Sequence, residues 1–168
     1  MRRAQSAVLE ERSLDPERHD RAGFFCGVPE LDDYLHRFAV QQIRKGVTTV
    51  HVLVDDAAPA TLLGYYTLSA AEVDSVELRA GERKRLPRYP IPCFRLGRLA
   101  CRADCRGTGL GKLLLAGAVE RCLCARQQVA AYALIVDAKD DGAAAFYRHY
   151  GFVTCASNPL LLYLPLGN

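Results

Sequence analysis

Residues 101–112 read CRADCRGTGLGK, with two cysteines, two arginines, three glycines and a lysine in twelve positions. The stretch follows FRLGRLAC (94–101), which reads as a strand, and leads into LGKLLLAGAVERCLCAR (110–126). There Leu110, Leu114, Ala118 and Cys122 recur every fourth residue, the spacing of one helix face. A metal site is disfavoured. Cys122 and Cys124 sit two apart on a helix and point about 200° apart, so they cannot close one tetrahedron with Cys101 and Cys105. Small apolar filler is the simpler role for these thiols, and no metal is expected. A Walker loop fails because Gly111-Lys112 is followed by Leu113 and position 106 is Arg. The dinucleotide fingerprint fails because Lys112 stands where its third glycine belongs. What remains is Arg106-x-x-Gly109-x-Gly111 between strand and helix. Unpaired amides and the positive end of the dipole meet at a helix start, and glycines let a pyrophosphate approach the backbone. Arg106 and Lys112 add positive charge. On pattern alone, a glycine-rich turn with no ligand stays open.

Around this stretch the chain reads as β-α-β-β-β-α-β-α-β-β, a mixed α/β arrangement of α+β flavour. Residues 6–12 read as an opening strand. A helix follows within residues 23–46, started by Pro29 with Glu30, Asp32 and Asp33 behind it and stopped by Gly46. Its apolar face is Leu31, Leu35, Phe38 and Ala39. Residues 47–56 and 60–70 form a hairpin turning at Ala58-Pro59, and 72–90 is a loop with one helical turn. Residues 131–138 are a buried strand and 140–150 a short helix, followed by strands at 152–157 and 160–166. No repeat or linker divides the 168 residues, so one domain over 1–168 is expected.

Composition adds little beyond excluding classes. No apolar run reaches bilayer length, so no membrane partner is expected. The opening MRRAQSAVLEER lacks the apolar core of a signal peptide, and the expected location is cytoplasmic. Seven cysteines, an odd number, suit reduced thiols better than a disulfide framework. Net charge is only +3, but RAGERKRLPR (79–88) sets five cations against the single Glu82. Arg2, Arg3, Arg37, Arg44 and Lys45 are candidates to extend this patch, and a solvated charged loop is its bland alternative.

The order LGRLAC, CRGTGLGKLLL, then LIVDAKDDGAAAFYRHYGF resembles the GNAT superfamily of N-acetyltransferases, whose acyl-CoA pyrophosphate signature is R-x-x-G-x-G. The upstream GFFCGVPELDDYL resembles one branch, the toxins of bacterial toxin–antitoxin pairs, and the likeness spans roughly residues 6–166. It implies a central, mostly antiparallel sheet of six to seven strands, flanked by about four helices and splayed at the acetyl-CoA site. It implies acetyl-CoA as co-substrate, held by the backbone of Leu99, Ala100 and Cys101. The loop of Arg106, Gly107, Thr108 and Gly109 and the helix start of Leu110, Gly111 and Lys112 would take the pyrophosphate. Tyr147 stands where the family places its general acid; the alternative is that it packs with Phe146, Tyr150 and Phe152. His149 reads as a surface residue.

The toxin branch acetylates the α-amine of aminoacyl-tRNA. Such an amine ionises well below a lysine's 10.4, which suits a sequence offering no evident general base. In this reading Arg83, Lys84, Arg85 and Arg88 contact tRNA phosphates. A ribbon-helix-helix antitoxin and a homodimer are further implied partners. Two rival functions remain: acetylation of a small-molecule amine or protein amino group, and non-catalytic acyl-CoA binding.

Overall fold

The computed structural model describes residues 7–167. Seven strands follow the order β1-β2-β3-β4-β5-β7-β6. They are β1 (Leu9–Ser13), β2 (Thr49–Asp55), β3 (Ala58–Val73), β4 (Ile91–Cys101), β5 (Ala133–Asp137), β6 (Val153–Thr154) and β7 (Leu161–Pro165). The β1–β2, β5–β7 and β6–β7 pairings are antiparallel, and β4–β5 is parallel. The mixed α/β class, the element order and the mostly antiparallel sheet agree with expectation. Contacts group the chain into two compact units, with β3 and β4 contributing to both.

The first unit holds residues up to Thr67 together with Arg98–Gly117. The expected helix occurs as α1 (Pro29–Asp33), a π turn at Tyr34–Phe38 and α2 (Ala39–Arg44). In the π turn the Ala39 N–H reaches back five residues to Tyr34 O. That wider turn shifts the helix face. Leu35 and Ala39 are fully buried as expected, but Phe38 is 45% exposed with the Arg37 guanidinium 5.7 Å from its ring. Gly46, at φ +73°, ends the helix where expected.

The hairpin turns earlier than the sequence suggests. Asp55 accepts the Ala57 N–H at 2.9 Å, so the turn falls at Asp56-Ala57 and Pro59 already lies on β3. The core packs Val50, Val52 and Val54 of β2 against Leu35, Ala39 and Tyr65. Gly64 of β3 is there for space: a Cβ would lie 2.8 Å from Ala100 O and 2.7 Å from Leu114. Gly117 makes room for the Glu11 carboxylate, which accepts the Tyr66 hydroxyl at 2.5 Å. The opening strand begins at Leu9; residue 6, with Arg2 and Arg3, lies outside the described residues.

The second unit comprises Leu68–Gly97 and the chain from Ala118 onward. The 72–90 segment carries a 3-10 turn at Ser75–Glu77 and α3 (Ala80–Arg83). The core sets Val73, Leu78 and Ile91 against Ala133, Ile135 and Tyr163. Two further helices are α4 (Leu110–Ala125), which starts in the first unit, and α5 (Asp141–His149). On α4 the four-residue spacing is met: Leu110, Leu114, Ala118 and Cys122 are all buried, and Cys124 is exposed. No helix among the described residues is long and apolar enough to cross a membrane.

Candidate active site

The glycine-rich loop of the first unit is built by its own hydrogen bonds. The β4–β5 ladder runs from Cys93↔Ala133 to Leu96↔Val136, while β4 itself continues to Cys101. Ala100 is buried there, and Leu99 and Cys101 are half-buried. Beyond the strand, Arg102 N donates to Leu63 O (2.9 Å) and Ala103 N to Phe25 O (3.0 Å). A 3-10 turn at Ala103–Cys105 follows, and the Thr108 hydroxyl closes back on Cys105 O. Gly107 and Gly109 have φ of +76° and +85°, the left-handed region that L side chains resist. A Cβ at either would meet nothing within 4 Å, so backbone conformation rather than crowding demands glycine. The loop thus opens onto free space directly before α4.

Leu113 N makes a first helical bond, to Gly109 O at 3.1 Å, which leaves the amides of Leu110, Gly111 and Lys112 ahead of the ladder. Buried Leu110 anchors this helix start, and Lys112 is exposed. Arg106 departs from expectation in one respect. Its Nη2 donates to Cys26 O at 2.5 Å, and a Cβ on Gly27 (φ +89°) would lie 3.1 Å from that nitrogen. The guanidinium therefore ties the glycine loop to the Phe24–Val28 segment. That segment is held from its other side by Asp32, whose Oδ1 accepts Cys26 N at 2.8 Å.

The two cysteines are chemically quiet. Burial, with Cys105 nearby, pushes the Cys101 thiol up to about 11 against the pull of Arg106. Burial and Asp104 also raise Cys105. Raised in this way, neither thiol is set up as a thiolate nucleophile. Arg102 neutralises Asp104 through two hydrogen bonds, at 2.5 and 3.0 Å, so the acidic residue beside the loop is compensated.

In the second unit Tyr147 lies on α5. Asp140 caps this helix by accepting Ala143 N at 2.8 Å, Asp141 sits in its first turn, and Arg148 and His149 sit in its last. Tyr147 is 6% exposed, its ring 5.2 Å from Phe146 and 5.3 Å from Phe152. Its carbonyl accepts from both Tyr150 N and Phe152 N at 3.1 Å, and Gly151 turns the chain at φ +94°. Backbone and ring are both fixed. Phe152 is buried as a core aromatic, Phe146 only half-buried, and His149 exposed.

Arg83, Lys84, Arg85 and Arg88 are all exposed on the same unit. Arg37, Arg44 and Lys45 are exposed on the first. The sequence assigns no role to two residues at the basic segment, Tyr89 just past it and the lone acid Glu82 within it. Tyr89 is 66% exposed beside Arg88, and Glu82 is buried at 5%. The Glu82 carboxylate accepts from Tyr132 Oη (2.6 Å), Tyr163 Oη (2.5 Å) and Arg79 Nε (3.0 Å). A lone acidic residue inside a basic run was the available signal for Glu82, and an aromatic between prolines was the signal for Tyr89.

Comparison with known proteins agrees with this picture. The chain is 34% identical over 145 residues to the tRNA-acetylating toxin of Mycobacterium tuberculosis (strain ATCC 25618 / H37Rv), covering 86% of this chain and 85% of that protein. It is 27% identical over 161 residues to the probable toxin TacT of Sinorhizobium fredii (strain NBRC 101917 / NGR234), covering 91% and 88%. Among solved structures, a Tyr-to-Phe mutant of KacT superposes with a TM-score of 0.89 at 30% identity, covering 94% of this chain and 95% of that one. AtaT complexed with acetyl-methionyl-tRNAfMet superposes with a TM-score of 0.88 at 28% identity, with the same coverage. The pattern of the acetyltransferase (GNAT) domain matches residues 44–160, and the chain belongs to that family of acetyltransferases.

Proposed function

We propose that this acetyltransferase moves an acetyl group from acetyl-CoA to the α-amine of an aminoacyl-tRNA and thereby blocks translation, acting as the toxin of a toxin–antitoxin pair. The observation that carries the reading is the left-handed Gly107/Gly109 loop, open to space, at the start of α4. Such a start binds anionic oxygens through amides without needing a charged side chain. Gly107, Thr108, Gly109, Leu110, Gly111 and Lys112 would hold the pyrophosphate, with Arg106 alongside. When bound, acetyl-CoA supplies an acyl group activated as a thioester. The end of β4 at Leu99, Ala100 and Cys101, past the β5 ladder, offers backbone groups for the pantetheine arm. One N–H there would donate to the acyl oxygen as the amine attacks. Tyr147 Oη would give its proton to the departing thiolate.

The acceptor assignment draws support from relatives: one is named for tRNA acetylation, and AtaT has been solved with acetyl-methionyl-tRNAfMet. AtaT bound to the C-terminus of AtaR, with acetyl-CoA, supports a protein antitoxin for this chain as well. In the same reading residues 1–168 act as one domain in the cytoplasm, the antitoxin is of ribbon-helix-helix type, and the enzyme pairs as a homodimer. Arg83, Lys84, Arg85 and Arg88 supply non-sequence-specific attraction to RNA phosphates. The test is to compare kcat/KM on charged tRNA with kcat/KM on free amino acids, polyamines and protein amino termini. Charged tRNA is expected to lead by orders of magnitude; preference for a small amine or protein terminus would replace the reading.

A further inference from the structure

The basic segment of the second unit sorts its charges by side. Its cations at 83, 84, 85 and 88 are exposed, while its single acidic residue is turned in and buried. That inward turn is held from three directions. Tyr132 precedes β5, Tyr163 sits on β7, and Arg79 is the residue just before α3; each donates to the Glu82 carboxylate. Tyr163 does double duty, since its hydroxyl oxygen also accepts Arg79 N at 3.0 Å. Tyr163 is itself fully buried and paired with Ile135 and Val153, so the carboxylate is moored to a buried strand flanked on both sides. A helix as short as α3, Ala80–Arg83, has no stability of its own. Its orientation rests on that mooring, together with the Arg85 Nε bond to Gly81 O.

We infer that Glu82 is a positioning residue for the RNA substrate: its buried carboxylate fixes α3 so that Arg83, Lys84, Arg85 and Arg88 face outward as a set. The inference rests on the proposed tRNA contact of this segment. It makes a prediction opposite in sign to simple electrostatics. Removing a negative charge from a basic patch ought to strengthen RNA attraction, whereas removing the mooring weakens it.

The experiment measures kcat and KM for charged tRNA over a salt series, and for an amino-acid methyl ester as an RNA-free acceptor. The variants are Glu82→Ala, Glu82→Gln and the quadruple Arg83, Lys84, Arg85, Arg88→Ala. Glu82→Ala is expected to raise KM for tRNA about tenfold with kcat unchanged. Glu82→Gln is as uncharged as Glu82→Ala but keeps an acceptor oxygen, and is expected to recover most of the loss. Neither variant should alter turnover of the ester. If Glu82→Ala does not fold, Tyr132→Phe removes one of the donors and should raise KM by a smaller factor in the same assay. A lower KM in both Glu82 variants, or a parallel fall in ester turnover, overturns the inference. If the quadruple variant raises KM while the Glu82 variants match wild type, only the positioning role fails. If the quadruple variant leaves KM and salt slope unchanged, the RNA contact of this segment fails and the positioning role with it.

Discussion

Tyr147 is held by two aromatic neighbours and by a carbonyl that closes the end of α5, contacts that a Phe ring on the same backbone can keep. Tyr147→Phe is expected to keep acetyl-CoA affinity by calorimetry and to lose about 10²–10⁴-fold in acetyl transfer, the range of general acid catalysis. Unchanged turnover would take the acid role away from it. Glu82 gives a pH prediction. Burial disfavours its charged form, but hydrogen bonds from Arg79, Tyr132 and Tyr163 outweigh burial and hold the carboxyl below the usual range. A folded-state value lowered in this way adds stability that is complete above the unfolded pKa, about 4.3, and drains as pH falls through the folded value. Melting temperature should therefore drop more steeply below about pH 4.3 in wild type than in Glu82→Gln. Parallel curves would mean that the carboxylate gains nothing from its three donors.

Among the elements, the glycine loop and the interrupted first helix make contrasting demands. Gly107→Ala or Gly109→Ala forces a Cβ into the left-handed region, at about 1–2 kcal/mol each. Denaturant unfolding should record that loss, and acetyl-CoA binding should weaken alongside it; full stability with full affinity would contradict the loop geometry. The helix offers a pair of leucine and phenylalanine truncations. An uninterrupted helix would bury Phe38 with Leu35, but the π turn buries Leu35 and exposes Phe38. Leu35→Ala is expected to cost about 2–5 kcal/mol, and Phe38→Ala under about 1 kcal/mol. Equal losses would place Phe38 back in the core.

For the molecule as a whole, the order of strands and helices was legible because each element carries a local signal. The apolar run 131–138, the four-residue spacing on α4 and the acidic opening of α5 each reflect burial or capping by residues close in sequence. The exceptions depend on partners far along the chain. The π turn answers the core that Leu35 and Ala39 share with β2 and β3. Glu82 turns inward because hydroxyls 50 and 81 residues away await it. Arg106 is drawn to a carbonyl 80 residues upstream, which no reading of the local R-x-x-G-x-G pattern contains. In the site, the glycines were readable from their own backbone requirement, and the network orienting the cations was not. Which atom receives the acetyl group can be read directly. Total charged tRNA is incubated with the enzyme and isotope-labelled acetyl-CoA, then deacylated in mild alkali, and the label is followed by mass spectrometry. Label is expected in N-acetylamino acids released from the RNA, and none when the tRNA is deacylated beforehand. Label retained on the RNA itself, or found on protein or small amines with charged tRNA untouched, would contradict it.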